Sequence, residues 1–150
     1  MNQTFLNTIN QALIKTLKER YKMDDASVLN LSDAGKNSLI NSLKQYVLKN
    51  GTPEIEAILL DKKQFSESPL QSFCFSNFKK DIAGKKLLDE SQTGEVAEYS
   101  INFLIDQFRE GFKTSGNSKD LDGICLFLGI DKNLVSLANS PMAKMFGKFF

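Results

Sequence analysis

The chain has 150 residues, of which 41% are hydrophobic and 25% charged, and 19 Lys and Arg against 18 Asp and Glu leave a net charge of +1. That length accommodates one domain with a real core, and the composition excludes disorder over most of it. A balanced charge without a long basic stripe also argues against a dedicated nucleic-acid binder, whose affinity rests largely on neutralising phosphates.

Apolar residues recur at three and four positions almost throughout, and no run alternates in the β manner, so an all-α fold is expected. The first helix carries Phe5, Leu6, Ile9, Leu13 and Leu17 on one face and ends near Tyr21. A polar connection, Lys22 to Ser27, follows. Ser32 offers a cap for a second helix with Leu39, Ile40, Leu43, Tyr46 and Val47, stopped by Asn50-Gly51. Thr52-Pro53 restarts the chain as a capping hydroxyl and a proline at the first helical position, opening a short helix with Ile55, Ile58 and Leu59.

Ser68 and Gln71 have the spacing of a capping box, ahead of a stripe of Leu70, Phe73, Cys74, Phe78 and Ile82 that Gly84 ends or bends. Asp89 or Ser91 opens a long helix with Val96, Phe103, Leu104, Phe108 and Phe112. Thr114 to Ser118 is a loop. Leu121, Ile124, Cys125 and Leu128 form the next helix, closed by Gly129. Asp131 begins a short one with Leu134, Val135 and Leu137, and Ser140-Pro141 begins the last. The expectation is a single helical domain, 1–150, in a compact orthogonal array of seven or eight short helices. A sub-boundary, if present, falls near 61–68 or in the 22–31 linker.

The sequence contains no histidine. This removes Ser-His and Cys-His nucleophile pairs, His-containing zinc sites and the usual base near neutral pH. Two cysteines cannot make a four-thiolate zinc site. Cys74 lies between Phe73 and Phe75, an apolar setting that keeps a thiol protonated and inert. The opening residues do not read as a secretory signal and no apolar run reaches membrane-spanning length, so a cytoplasmic chain with reduced Cys74 and Cys125 is expected.

Ser76 to Lys79 spells S-x-x-K, but the S-D-N element and the strands of the penicillin-recognising fold are missing. Asp120-Leu121-Asp122-Gly123 resembles part of a calcium loop, yet Ser118 and Gly129 fall where its first ligand and its bidentate Glu belong. Glu95 with Glu98, and Asp24 with Asp25, read as solvated carboxylates. Lys79, Lys80, Lys85 and Lys86 read either as an anion site or as cations complementing a helix C-terminus, and the second is preferred. No phosphate-binding glycine motif occurs. Catalytic, metal and cofactor residues are therefore not expected, and the chain is read as a non-enzyme.

The final segment gathers Met142, Met145, Phe146, Phe149 and Phe150 on one side, with Lys144 and Lys148 on the other. These are the candidate partner-binding residues, suited to a groove or to slight membrane-surface contact, with core packing as the competing use. The leading expectation is an interaction module that binds a protein partner or itself through exposed Phe and Met. The alternative is a carrier of a small apolar or lipid-like ligand, since 12 phenylalanines permit an apolar cavity.

From about Ser68 to Phe150 the order of features resembles the YidB-like bacterial domain of unknown function. The resemblance is carried by Ser68-Pro69, Gly84-Lys85-Lys86-Leu87-Leu88, the helix Glu95–Phe112, the loop Ser115–Asp120 and Leu128-Gly129-Ile130-Asp131. It implies a compact helical fold in a bacterial cytoplasm, and no activity.

Overall fold

A computed structural model describes residues 3–131 and residue 133. In chain order these form α1 (Gln3–Tyr21), α2 (Asp25–Asn50), α3 (Pro53–Leu59), a 3-10 turn (Phe65–Glu67), α4 (Pro69–Lys85), α5 (Glu90–Thr114) and α6 (Leu121–Leu128). The described residues contain no strand. The all-α class holds, but six α-helices stand among the described residues where seven or eight were expected. The further helices expected after Gly129 fall almost wholly outside the described residues.

The largest difference from expectation lies at the start of α2. The Asp24 carboxylate accepts hydrogen bonds from the Ser27 backbone N–H (2.7 Å) and from its hydroxyl (3.1 Å), which makes Asp24 the N-cap. The helix therefore begins about two turns before Ser32, and Val28 and Leu31 extend its buried face. Ser32 sits inside the helix, its hydroxyl turned back to the Leu29 carbonyl at 3.1 Å. The expected 22–31 linker shrinks to residues 22–24. Lys22, with φ of 52°, makes the turn, and an ion pair from Lys18 to Asp25 spans it.

Other ends differ in detail. Thr52 precedes α3 but has αR backbone angles (φ −101°, ψ −7°) and its side chain caps nothing, because a capping hydroxyl needs an extended residue. Pro53 occupies the first turn as expected. Gly84 does not end α4. The helix runs on to Lys85, and Lys86 takes the left-handed position (φ 52°) while the Leu87 N–H reaches back to the Ile82 carbonyl at 3.2 Å. Ser68 caps α4 by accepting from the Leu70 N–H at 3.1 Å and donates its own proton to Glu54 at 2.7 Å, so its hydroxyl is shared between the helix start and α3.

Burial follows the three-four spacing. One connected cluster of buried side chains runs from Leu6 on α1 to Leu128 on α6, and it includes Phe65 in the 61–68 segment. α5 is its axis, touching α1, α2, α3, α4 and the 3-10 turn, while α2 lies most extensively along α4. Phe78, Phe108 and Phe112 are fully buried, each contributing about 1.5–3 kcal/mol through removal from water. Phe78 seats on α2 at Gly35, where an added Cβ would stand 3.0 Å from the ring.

Gly123 is fixed by a similar close approach. A methyl group there would run into the Ser118 carbonyl oxygen, where the loop folds back against the start of α6. Gly123→Ala should lower stability to urea unfolding by about 1–3 kcal/mol. Gly94→Ala, inside α5 with no heavy atom within 4 Å of the new methyl, should raise it by about 0.5–1 kcal/mol.

Candidate interaction surface

α6 is the most apolar of the described helices, with the sequence Leu-Asp-Gly-Ile-Cys-Leu-Phe-Leu. Asp120 fixes its start, accepting from the Gly123 N–H (3.0 Å) and the Ser118 hydroxyl (2.6 Å). Those bonds hold the Asp120 carboxyl below the usual carboxylate range, the Ser118 bond contributing most. The resemblance to a calcium loop thus resolves into a helix cap. Gly129 ends the helix in the left-handed region (φ 70°), with the Ile130 N–H returned to the Cys125 carbonyl at 2.9 Å.

Ile124, Cys125 and Leu128 face the core, as their spacing predicts. Two neighbours do not follow that spacing. Phe127 turns toward the junction of α1 and α5, its ring 5.6 Å from Phe5, 6.5 Å from Phe108 and 5.5 Å from Phe112 between centroids. Tilted and edge-on geometries of this kind suit aromatic quadrupoles. Leu126 points the other way and is 71% exposed, well above Leu29 (47%) and Leu48 (39%).

Phe5 can approach this cluster because α5 presents Gly111 to it, where any Cβ would overlap the ring. A groove of about 450 Å³ opens there, lined by Phe5, Gly111 and Phe127 together with Thr4, Thr8, Thr114 and Ser115. At the far side Lys119 lies over the Phe112 ring, 4.2 Å from its centroid, and donates to the Phe112 carbonyl. The groove thus combines apolar and neutral polar residues, while Leu126 stays exposed on the side of α6 turned away from Phe127.

The five residues expected to bind a partner, Met142, Met145, Phe146, Phe149 and Phe150, lie outside the described residues. Of the four clustered lysines, Lys79 and Lys86 line one groove with the start of α5, and Lys80 lines a different one between α2 and α4. Lys85 stays in the last turn of α4. They do not form one anion site. Glu95 and Glu98 are exposed, Asp24 is the cap described above and Asp25 pairs with Lys18. Cys74 is wholly buried and its thiol is pushed up to about 12 by burial, so it stays protonated at neutral pH and cannot act as a nucleophile.

Carboxylates that do hold specific partners tie elements together. Asp61, in the left-handed region (φ 59°), receives Arg109 at 3.0 Å and Lys113, both from α5. Glu54 receives the Ser68 hydroxyl and the Lys63 ammonium at 2.9 Å, closing the 61–68 segment onto α3. Among the described residues no three Cys, Asp or Glu side chains converge as a metal site, and no helix is long and apolar enough to cross a membrane.

No protein family, curated protein or solved structure matches the chain.

The Ser68 hydroxyl foremost, and then Lys63, hold the Glu54 carboxyl below its ordinary value of 4.5. A lowered folded-state value means that the contribution is present above pH 4.5 and is lost as pH falls through the folded value. Acid titration of stability should therefore be steeper below that pH in the wild type than in Glu54→Gln, with the two curves converging at the acid end.

Proposed function

We propose that the chain is a non-enzymatic helical interaction module that self-associates through the apolar surface around α6. The observation that carries this reading is Leu126, a large side chain that α6 leaves 71% exposed, on the same helix whose Phe127 lines the groove with Phe5. The apolar surface of an exposed leucine is removed from water, favourably, when a second apolar surface covers it. A second copy is the occupant we favour, because a net charge of +1 leaves little repulsion between copies. Met142, Met145, Phe146, Phe149 and Phe150 are proposed to extend this contact, on the strength of their three-four spacing alone.

A non-enzymatic role is supported by the absence of histidine from the sequence and by the protonated, buried Cys74. The finer organisation belongs to the same proposal: one domain spanning 1–150, an orthogonal helix array, and a bacterial cytoplasmic setting. The connected core cluster supports the first of these. Kinship of residues 68–150 with the YidB-like domain is proposed on the sequence resemblance, and no activity comes with it.

Sedimentation velocity over a broad concentration range should show reversible association of the wild-type chain. Leu126→Lys should weaken it strongly while leaving the helical circular dichroism unchanged. A wild type that stays monomeric throughout would remove the proposal.

A second reading, carriage of a small apolar ligand, is favoured by the groove's volume of about 450 Å³, which falls in the range of ligand pockets. Native mass spectrometry of the freshly purified chain should then show a co-purified apolar mass. Its loss in Phe127→Lys would separate this reading from self-association.

A further inference from the structure

α2 carries a second periodic stripe that is polar. Ser38, Asn41, Ser42 and Gln45 recur at three, four and seven positions, and α4 answers with Asn77, Lys80 and Asp81 at three and four. All seven line one groove of about 200 Å³ between the two helices. Polar residues are an odd choice here, because α2 and α4 form the most extensive helix pair of the described residues and both bury apolar side chains in the core.

The floor is specific. Ser38 is 95% buried (5% exposed), and its hydroxyl has no hydrogen-bond partner among the described residues. Ser42 is 2% exposed and accepts from the Asn77 side-chain amide at 3.0 Å, a bond that does not commit its own O–H. One turn before Ser38, Gly35 lies against the Phe78 ring, so the two helices are held at a fixed separation beside the groove. An unmet buried hydroxyl costs about 1–3 kcal/mol, which a core alanine at position 38 would avoid.

We infer that this α2–α4 groove binds a small polyhydroxylated molecule, of the size of a monosaccharide or short polyol. The floor holds hydroxyls and an amide but no charge, so a charged group reaching it would be desolvated without compensation. Hydroxyl groups both donate and accept, which matches Ser38, Ser42 and the Asn77 amide. Asn41 and Gln45 add two further amides at the exposed rim, with Lys80 and Asp81 providing one donor and one acceptor of opposite charge. A volume of about 200 Å³ corresponds to about six or seven waters, the displacement expected of a single sugar ring.

The test is a titration of the full-length, ¹⁵N-labelled chain with glycerol, myo-inositol, ribose and glucose, followed by amide chemical shifts. At least one of these should shift the Ser38, Ser42 and Asn77 signals saturably. Ser38→Ala, which removes an unsatisfied group and so should fold, is expected to weaken that binding by about three- to tenfold. Asn77→Ala should weaken it similarly, with the remaining spectrum reporting an intact fold. Absence of saturable shifts with all of these compounds overturns the inference. So does saturation centred elsewhere, or unchanged affinity in Ser38→Ala, where a purely structural serine would alter thermal stability alone.

Discussion

Helix α5 can contact four other helices at once because its buried face is unusually wide. Val96, Ala97, Ser100, Ile101, Leu104, Ile105, Phe108 and Phe112 all lie on it, repeating at three and four residues over five turns. Burial of that face is worth far more than any single polar contact in the molecule, since each large apolar side chain contributes about 1.5–3 kcal/mol. The remaining helices are then placed by what they bring to it. α1 brings Leu13 and Leu17, α4 brings Phe78 and Ile82, and α3 brings Ile55 and Ile58, all fully buried. α5 is long enough to serve as this axis because Glu90 starts it behind Asp89 and no proline interrupts it before Thr114.

Close approach between helices is achieved at glycines as much as by side-chain size. Gly35 admits Phe78 and Gly111 admits Phe5, so two aromatic rings rest on bare helix backbone where an alanine methyl would have pushed them away. The polar ties act on what the apolar packing leaves loose. The segment between α3 and α4 contributes Phe65 to the core and is otherwise held by Glu54, Lys63 and Ser68 on one side and by Asp61 with Arg109 and Lys113 on the other. These pairs are only partly shielded from solvent, where an individual ion pair is worth little. Their effect is to select one path for a connection that has few apolar contacts of its own.

Two surfaces on this frame have opposite character. On α6, Leu126 presents carbon to the outside, and Phe127 on its other side lines a groove with Phe5 and four Ser and Thr residues. Between α2 and α4, Ser38, Ser42 and Asn77 turn hydrogen-bonding groups into an otherwise apolar seam. The first is suited to covering by another apolar surface, through loss of water from both. The second is suited to a compact ligand rich in hydroxyls, through the buried Ser38 hydroxyl, which has no partner among the described residues, and the Ser42–Asn77 pair beside it. The two surfaces share no residues.

The helical class, and most of the inward faces, were legible because a three-four repeat of apolar residues has one good solution in water, an amphipathic helix packed on others. Leu6, Leu39, Leu43, Phe78, Leu104 and Phe108 are buried where that repeat puts them. The inert Cys74 was equally legible from Phe73 and Phe75 on either side. Where α2 begins was not, because Ser32 and Asp24 are both good caps by residue type, and burial of Val28 and Leu31 against the other helices selects Asp24. Nor could spacing assign Phe127 to the aromatic cluster or leave Leu126 in solvent. Those orientations depend on where the ends of α1 and α5 lie in space. The polar stripe at Ser38, Asn41, Ser42 and Gln45 was present in the sequence as a pattern. Its meaning emerged only when α4 was laid beside it, because a polar helix face is ordinary in water and becomes consequential once another helix closes over it.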